Sequence, residues 1–323
     1  QAEDELASIG IVIGAGWNGA RAFTSTSGPG ISLMTEFIGL AYFAEVPAVL
    51  INVQRGGPST GMPTRTQQAD LLSCAYASNG DTKHPLLFPE DPKECFDLAA
   101  DALDLADRLQ TPVFVMSDLD IGMNQRLCAP LEWDDARVYD RGKVMTAAEL
   151  EAGYLDVDGD GIPYRTLPGT HEKRGAYFTR GTTKDRYARY SEEGPVYVDN
   201  MERLEKKWET AKTLVPQPIR REAAEATKYG VLYFGSTSPA MDEALDLLND
   251  KGEHVDALRL RAFPFPESVR NFILEHEVVF VVEQNRDAQM RSMLVNELEI
   301  DPARMVAICH YDGTPVTGRF IAR

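Results

Sequence analysis

The chain has 323 residues, 43% of them hydrophobic, and a formal net charge of −17. That length accommodates two or more domains with cores of their own, and no apolar run reaches the roughly 18 to 20 residues of a membrane-spanning helix. The acidic balance argues against nucleic acid or an anionic membrane as a partner, because both are met by basic surfaces. It leaves room for a small anionic substrate held locally by an arginine.

In chain order, "EDELASIGIVIGAGW" predicts a helix from about Glu3 to Trp17 whose small residues allow close packing. Gly14, Gly16 and Gly19 spell G-x-G-x-x-G across its end. A dinucleotide site needs strand, tight turn and helix in that order, and here the β-rich "RAFTST" follows too soon for the helix. The amphipathic "ISLMTEFIGLAYFAE", the buried strand "PAVLINV" and the loop "QRGGPSTGMPT" come next. Asp91 then reads as the N-cap of a helix with Pro92 at its first position and Glu94 completing a capping box, and "PVFVMSD" as a further buried strand. This alternation, over 1–128, predicts a parallel sheet covered by helices on both faces. Residues 129–225 are charged and weakly periodic, a long irregular or interface segment with one clear helix, "VDNMERLEKKWETAKTL". From 226 to 323 the alternation returns with four strands and three helices, a second, small α/β domain.

Several stretches carry candidate chemistry. In "TSTSGPG" (Thr26, Ser27, Gly28 and on to Gly30) a strand gives way to a helix, so backbone N–H groups and hydroxyls gather at the carboxyl end of the sheet, where ligands bind; a purely structural turn capped by Ser27 is the alternative. Arg55 directly follows "AVLINV" and is braced by Gly56, Gly57 and Pro58, a setting suited to a bidentate grip on a carboxylate or phosphate. "DVDGDG" imitates half of a calcium loop through Asp156, Asp158 and Asp160, but Leu167 stands where the bidentate Glu belongs. The Gly159-Asp160-Gly161 triplet lacks an asparagine at thiamine-diphosphate motif spacing, the next being Asn200. Cys74, Cys95, Cys128 and Cys309 form no C-x-x-C pair, so neither zinc nor an iron–sulfur cluster can be built from this chain alone, and reduced thiols fit the cytoplasm. The histidines are scattered, Cys309-His310 reads as core packing, and Glu3 and Glu5 as acidic residues favouring a helix N-terminus.

"TSTSGPGISLMTEFIGLAYFAEVPAVLINVQRGGPSTGMPT" resembles the alpha subunit of the 2-oxoacid:ferredoxin oxidoreductases, and the likeness continues through "LQTPVFVMSD", "DGIPYRTLPGTHEKRGAYFTRGT", "VDNMERL" and "VVFVVEQN". The middle segment is most similar to the 2-oxoglutarate branch. The resemblance implies a thiamine-diphosphate pyrimidine-binding domain plus a transketolase C-terminal-like α/β domain. It puts on Glu3 the carboxylate that shares a proton with the cofactor's aminopyrimidine, on Arg55 the substrate-reading arginine, and on Thr26, Ser27 and Gly28 the pocket floor. It further implies coenzyme A as co-substrate, a beta subunit holding Mg2+ and a [4Fe-4S] cluster, ferredoxin as acceptor and a dimer of heterodimers. No metal is assigned to this chain. The family's substrate-touching segment ahead of the glutamate helix is missing from the sequence, so residue 1 is expected not to be the biological start. The rival readings are another 2-oxoacid, an NAD-dependent dehydrogenase using the three glycines, and an interaction module organised by calcium.

Overall fold

The computed structural model describes residues 1–151, 158–173 and 180–323. Asp4 opens the first helix, α1 (Glu5–Trp17), its carboxylate accepting from the Ala7 N–H at 2.8 Å. The helix therefore begins two residues later than the apolar pattern predicted. Gly14 and Gly16 lie inside it, Gly16 against Pro47, whose carbonyl oxygen would stand 2.3 Å from any Cβ at that position. No strand precedes these glycines among the described residues, so the dinucleotide reading fails; Gly16 is a packing residue of the helix, whereas Gly14 faces open space.

β1 (Phe23–Thr26), α2 (Gly28–Ala44), β2 (Ala48–Gln54), α3 (Leu71–Ala75), β3 (Leu86–Leu87), α4 (Pro92–Leu109), β4 (Pro112–Asp118) and α5 (Leu119–Met123) follow. The first sheet has the order β1-β2-β4-β3-β8, parallel except for β8 (Ala262–Phe263), a late strand running antiparallel to β3. Period-2 alternation divides its side chains between two cores. Ala48, Leu50, Phe114 and Met116 join a cluster with α1 and α2, while Val49, Val113 and Val115 join one with α4. Both faces are covered, as the near-continuous apolar runs require. Asp91 caps α4 by accepting from the Glu94 N–H at 2.7 Å. Glu94 does not close the capping box: it accepts from the Glu90 N–H and from Arg259 and Arg261, because two guanidiniums outbid one backbone donor.

The middle segment carries α6 (Ala147–Glu151) and α7 (Gly194–Leu214), the latter starting four residues before the predicted helix. Buried ion pairs fasten the segment to the first domain: Arg165 meets Asp107 at 2.9 Å, and Glu45, at the C-terminus of α2, takes Arg203, Lys207 and Lys184. Asp156 of the calcium-like loop lies outside the described residues. Asp158 and Asp160 both receive the Lys143 ammonium, which also donates to the Ile162 carbonyl oxygen at 3.1 Å. A lysine thus stands where that reading would put a cation.

The second sheet comprises β5 (Ile219–Arg221), β6 (Tyr229–Phe234), β7 (Asp256–Leu260), β9 (Val278–Glu283) and β10 (Met305–Cys309) in the order β10-β9-β6-β7-β5, with only β5 antiparallel. α8 (Ser238–Asp250), α9 (Glu267–Glu275), α10 (Gln289–Leu298) and the short α11 (Gly318–Ile321) surround it. The chain runs outward from β6 in one direction and from β9 in the other, so the crevice between their carboxyl ends is a switch point of the kind that usually binds ligands. Here the first domain fills it. Gln68 Nε2 donates to the Phe234 carbonyl oxygen and Ser236 Oγ, Ser236 Oγ donates to Asp118 at 2.6 Å, and Gln284 donates to Ser236 at 3.0 Å. Burial pushes the Asp118 carboxyl above its usual range against these hydrogen bonds.

Candidate active site

Four pieces of chain meet at the carboxyl ends of β1 and β2. The β1–α2 turn keeps Ser27 extended (φ −127°, ψ 178°) as N-cap, without a side-chain cap bond. Its carbonyl accepts from Gly30 and Ile31 at 2.9 and 3.1 Å. Pro29 has no N–H, so Gly28 keeps the free backbone donor of the first turn, at the N-terminus of a 17-residue helix, an environment favourable to negative charge. Gly30 is required by close approach, since a Cβ there would lie 2.0 Å from Thr26 Oγ1 and 2.8 Å from Glu5 Cγ.

The glutamates now separate. Glu3 lies exposed ahead of α1. Glu5, the first residue of α1, is half-buried and brings its side chain against Gly30 and Thr26, and its carboxylate makes no hydrogen bond among the described residues. The sequence marked it only as a helix-starting acid.

Arg55 leaves β2 as expected and is half-buried. Its Nε is shielded from water without a hydrogen-bond partner, and the guanidinium enters no ion pair among the described residues. An unpaired, partly desolvated guanidinium is costly unless an anion meets it. The loop behind it is pinned by Gly56 N–H to the Arg65 carbonyl at 2.8 Å and Met62 N–H to the Gly56 carbonyl at 2.7 Å. Arg55, Gly28, Asp70 and Ser73 line one side of a cavity of about 650 Å3, and Asn285 and Tyr311 of the second domain lie on the facing wall. Asp70 and that wall carried no recognisable signal in the sequence, because each reaches the cavity only through long-range packing.

Elsewhere a cleft of about 890 Å3 is lined by Arg126, Arg221 and Arg259, but these cations are already neutralised, Arg259 by Glu90 at 2.6 Å and Glu94 at 2.8 Å, Arg126 by Asp120 at 3.2 Å, and Arg221 by Asp242. His310 gives its Nε2 to the Thr314 carbonyl at 2.9 Å and its ring to Phe320, so it is engaged in packing, as the sequence suggested. Among the described residues no group of three or more His, Cys, Asp or Glu side chains could hold a metal ion.

The residues fit one half of a thiamine-diphosphate site: a carboxylate over the open end of α2, a hydroxyl-bearing turn and a roomy cavity with a free arginine. The comparisons agree. Over 309 residues the chain is 36% identical to the alpha subunit of a 2-oxoacid:ferredoxin oxidoreductase of Aeropyrum pernix, covering 94% of this chain but 47% of that one. Over 298 residues it is 34% identical to the 2-oxoglutarate synthase subunit KorA of Methanocaldococcus jannaschii, of which it covers 75%. A solved 2-oxoglutarate:ferredoxin oxidoreductase from Magnetococcus marinus, with 2-oxoglutarate, coenzyme A and succinyl-CoA bound, superposes with a TM-score of 0.84 at 27% identity, over all of this chain and 55% of that one. A split-gene transketolase shares the fold, with a TM-score of 0.55 at 12% identity. The chain thus spans about half the length of some relatives and three quarters of others, and its two α/β units are a pyrimidine-binding domain and a transketolase C-terminal-like domain. Residues 1–208 match the family described as pyruvate flavodoxin/ferredoxin oxidoreductase, thiamine diphosphate-binding, and the chain belongs to that family.

Proposed function

We propose that this chain is the pyrimidine-side subunit of a 2-oxoglutarate:ferredoxin oxidoreductase. The reaction converts 2-oxoglutarate, coenzyme A and two oxidised ferredoxins to succinyl-CoA, carbon dioxide, two reduced ferredoxins and a proton. The observation that carries this reading is the unpaired Arg55 guanidinium opening on a cavity at the N-terminus of α2. Bound there, thiamine diphosphate supplies the nucleophilic carbon and the electron sink for decarboxylation. Arg55 binds and orients the substrate's C1 carboxylate. Thr26, Ser27 and Gly28 place backbone donors at the pocket floor. A carboxylate of the α1 N-terminus holds a proton at the aminopyrimidine edge, and between Glu3 and Glu5 the packing favours Glu5, the one that reaches Gly30.

The rest of the site belongs in this reading to a beta subunit that carries Mg2+ and the [4Fe-4S] cluster, within a dimer of heterodimers. Leu6, Ile11 and Leu33 are exposed on the neighbouring helices α1 and α2, an apolar surface suited to that partner. No described helix is long and apolar enough to cross a membrane, and four unpaired cysteines accord with a cytoplasmic setting. The test is anaerobic, coenzyme-A-dependent dye reduction by the copurified complex, with 2-oxoglutarate and pyruvate side by side. Turnover confined to 2-oxoglutarate supports the proposal, turnover of pyruvate alone replaces the substrate, and an intact complex inert to every 2-oxoacid rejects it.

A further inference from the structure

A second charged group in the cavity has no task in this reading. Asp70 is fixed at two points: its N–H donates to Gln54 Oε1 at 3.2 Å, and Asn52 Nδ2 donates to its Oδ2 at 3.1 Å. Its carboxylate lies against Gly28, where a Cβ would be 2.7 Å from Oδ1 and 2.8 Å from Oδ2. Oδ1 makes no hydrogen bond among the described residues, and Asp70 shares the cavity wall with Arg55 without forming an ion pair to it. Burial raises the Asp70 carboxyl above its usual range, opposed by the Asn52 hydrogen bond and the Arg55 charge.

The groups around it are Arg55 from the loop after β2, Cys74 from α3, and Arg286, Asp287 and Tyr311 on the facing wall. Arg286 is committed to Asp287 through two hydrogen bonds, and burial holds the Cys74 thiol neutral well above its ordinary range. Arg55 and Asp70 are thus the two charges on this wall left without ionic partners. A carboxylate arriving at Arg55 meets repulsion from an ionised Asp70 and none from a protonated one, whose free oxygen can even donate.

We propose that Asp70 is the positioning residue of the carboxylate site, its protonation setting how tightly Arg55 holds the substrate. This rests on the assignment of Arg55 above. The test uses the complex with its partner subunit and N-oxalylglycine, an isostere of 2-oxoglutarate whose oxo group is deactivated by the adjacent amide nitrogen, titrated calorimetrically over the whole pH range in which the complex stays assembled. Wild-type affinity falls as pH rises through the Asp70 ionisation. Asp70→Asn flattens that dependence and binds roughly tenfold tighter at the alkaline end, the order expected for removing one like charge from a half-solvated site. If Arg55→Ala abolishes binding while Asp70→Asn keeps the wild-type pH slope, Asp70 has no such role. If Arg55→Ala binds as wild type does, the assignment of Arg55 fails and this inference with it. Should Asp70→Asn not assemble, Asn52→Ser removes the hydrogen bond that stabilises the ionised carboxyl and must move the pH break upward; an unmoved break overturns the proposal.

Discussion

Replacing Glu45 by glutamine removes one negative charge and almost no volume from the joint between α2, α7 and the middle segment. Its side chain is 2% exposed and faces three cations: Arg203 in a bidentate grip at 2.7 and 2.8 Å, Lys207 at 2.8 Å and Lys184 at 3.6 Å. Burial alone would raise this carboxyl, but Lys207, Arg203 and Lys184 together outweigh burial and hold it far below the usual carboxylate range. In the variant these cations still have neutral acceptors, among them the carbonyls of Gly161, Gln110 and Phe43 and the Asn200 amide oxygen, but lose the carboxylate they share. Breaking a buried pair of this kind costs about 3–5 kcal/mol, a large share of a typical total of roughly 5–15 kcal/mol, and lowers Tm on the order of 10 °C. The penalty depends on pH with a definite sign. Burial pushes the Lys207 ammonium down to about 8 against the pull of Glu45, whereas the unfolded chain keeps that proton to about 10.4. Between those values the unfolded state holds more protons, so the cost of burying Lys207 is relieved as pH rises, and the Glu45→Gln penalty shrinks from pH 7 to pH 9. Glu45 itself contributes stability that is present above about pH 4.3 and lost only as pH falls toward its depressed value. Urea unfolding of both proteins at pH 7 and pH 9 measures all of this. A variant within about 1 kcal/mol of wild type at pH 7, or a penalty that grows at pH 9, refutes the reasoning.

Glu5→Gln in the assembled enzyme lowers kcat by at least about a hundredfold with an unchanged melting temperature, while Glu3→Gln leaves turnover near normal; the reverse ranking in the dye-reduction assay would restore Glu3. Gly30→Ala forces a methyl group into Thr26 Oγ1 and costs about 1–3 kcal/mol, read as a lower Tm together with weaker thiamine diphosphate retention on gel filtration. Millimolar calcium leaves Tm unmoved because Lys143 already joins Asp158 and Asp160; a rise of several degrees would revive the calcium reading.

What could be read from the sequence follows the range of the interactions. The cap at Asp91 is settled within three residues and was visible, as was Arg55 at the end of an apolar strand. Glu94 looked like half of a capping box because its real partners, Arg259 and Arg261, lie about 165 residues away in sequence. The pairing of Glu5 with Gly30 depends on how α1 lies across α2, which no local pattern encodes, so the acids of "EDE" could not be told apart. Lys143 enters the "DVDGDG" loop from outside it, and Asp70 earns attention only when Gly28 and Arg55 are brought to its side.

β8 gives the last point its weight. This strand, from the far end of the chain, completes the first sheet beside β3; Phe88 N–H donates to the Arg261 carbonyl at 2.8 Å, and Phe263 packs edge-on against Trp208 with ring centroids 5.0 Å apart. The stretch that evolution carries as a recognisable family unit, residues 1–208, therefore ends before the strand that closes its own sheet. Heredity and packing draw their borders in different places here: a fragment cut at the family boundary would expose the edge of β3 and lose the Phe263 half of the aromatic contact with Trp208.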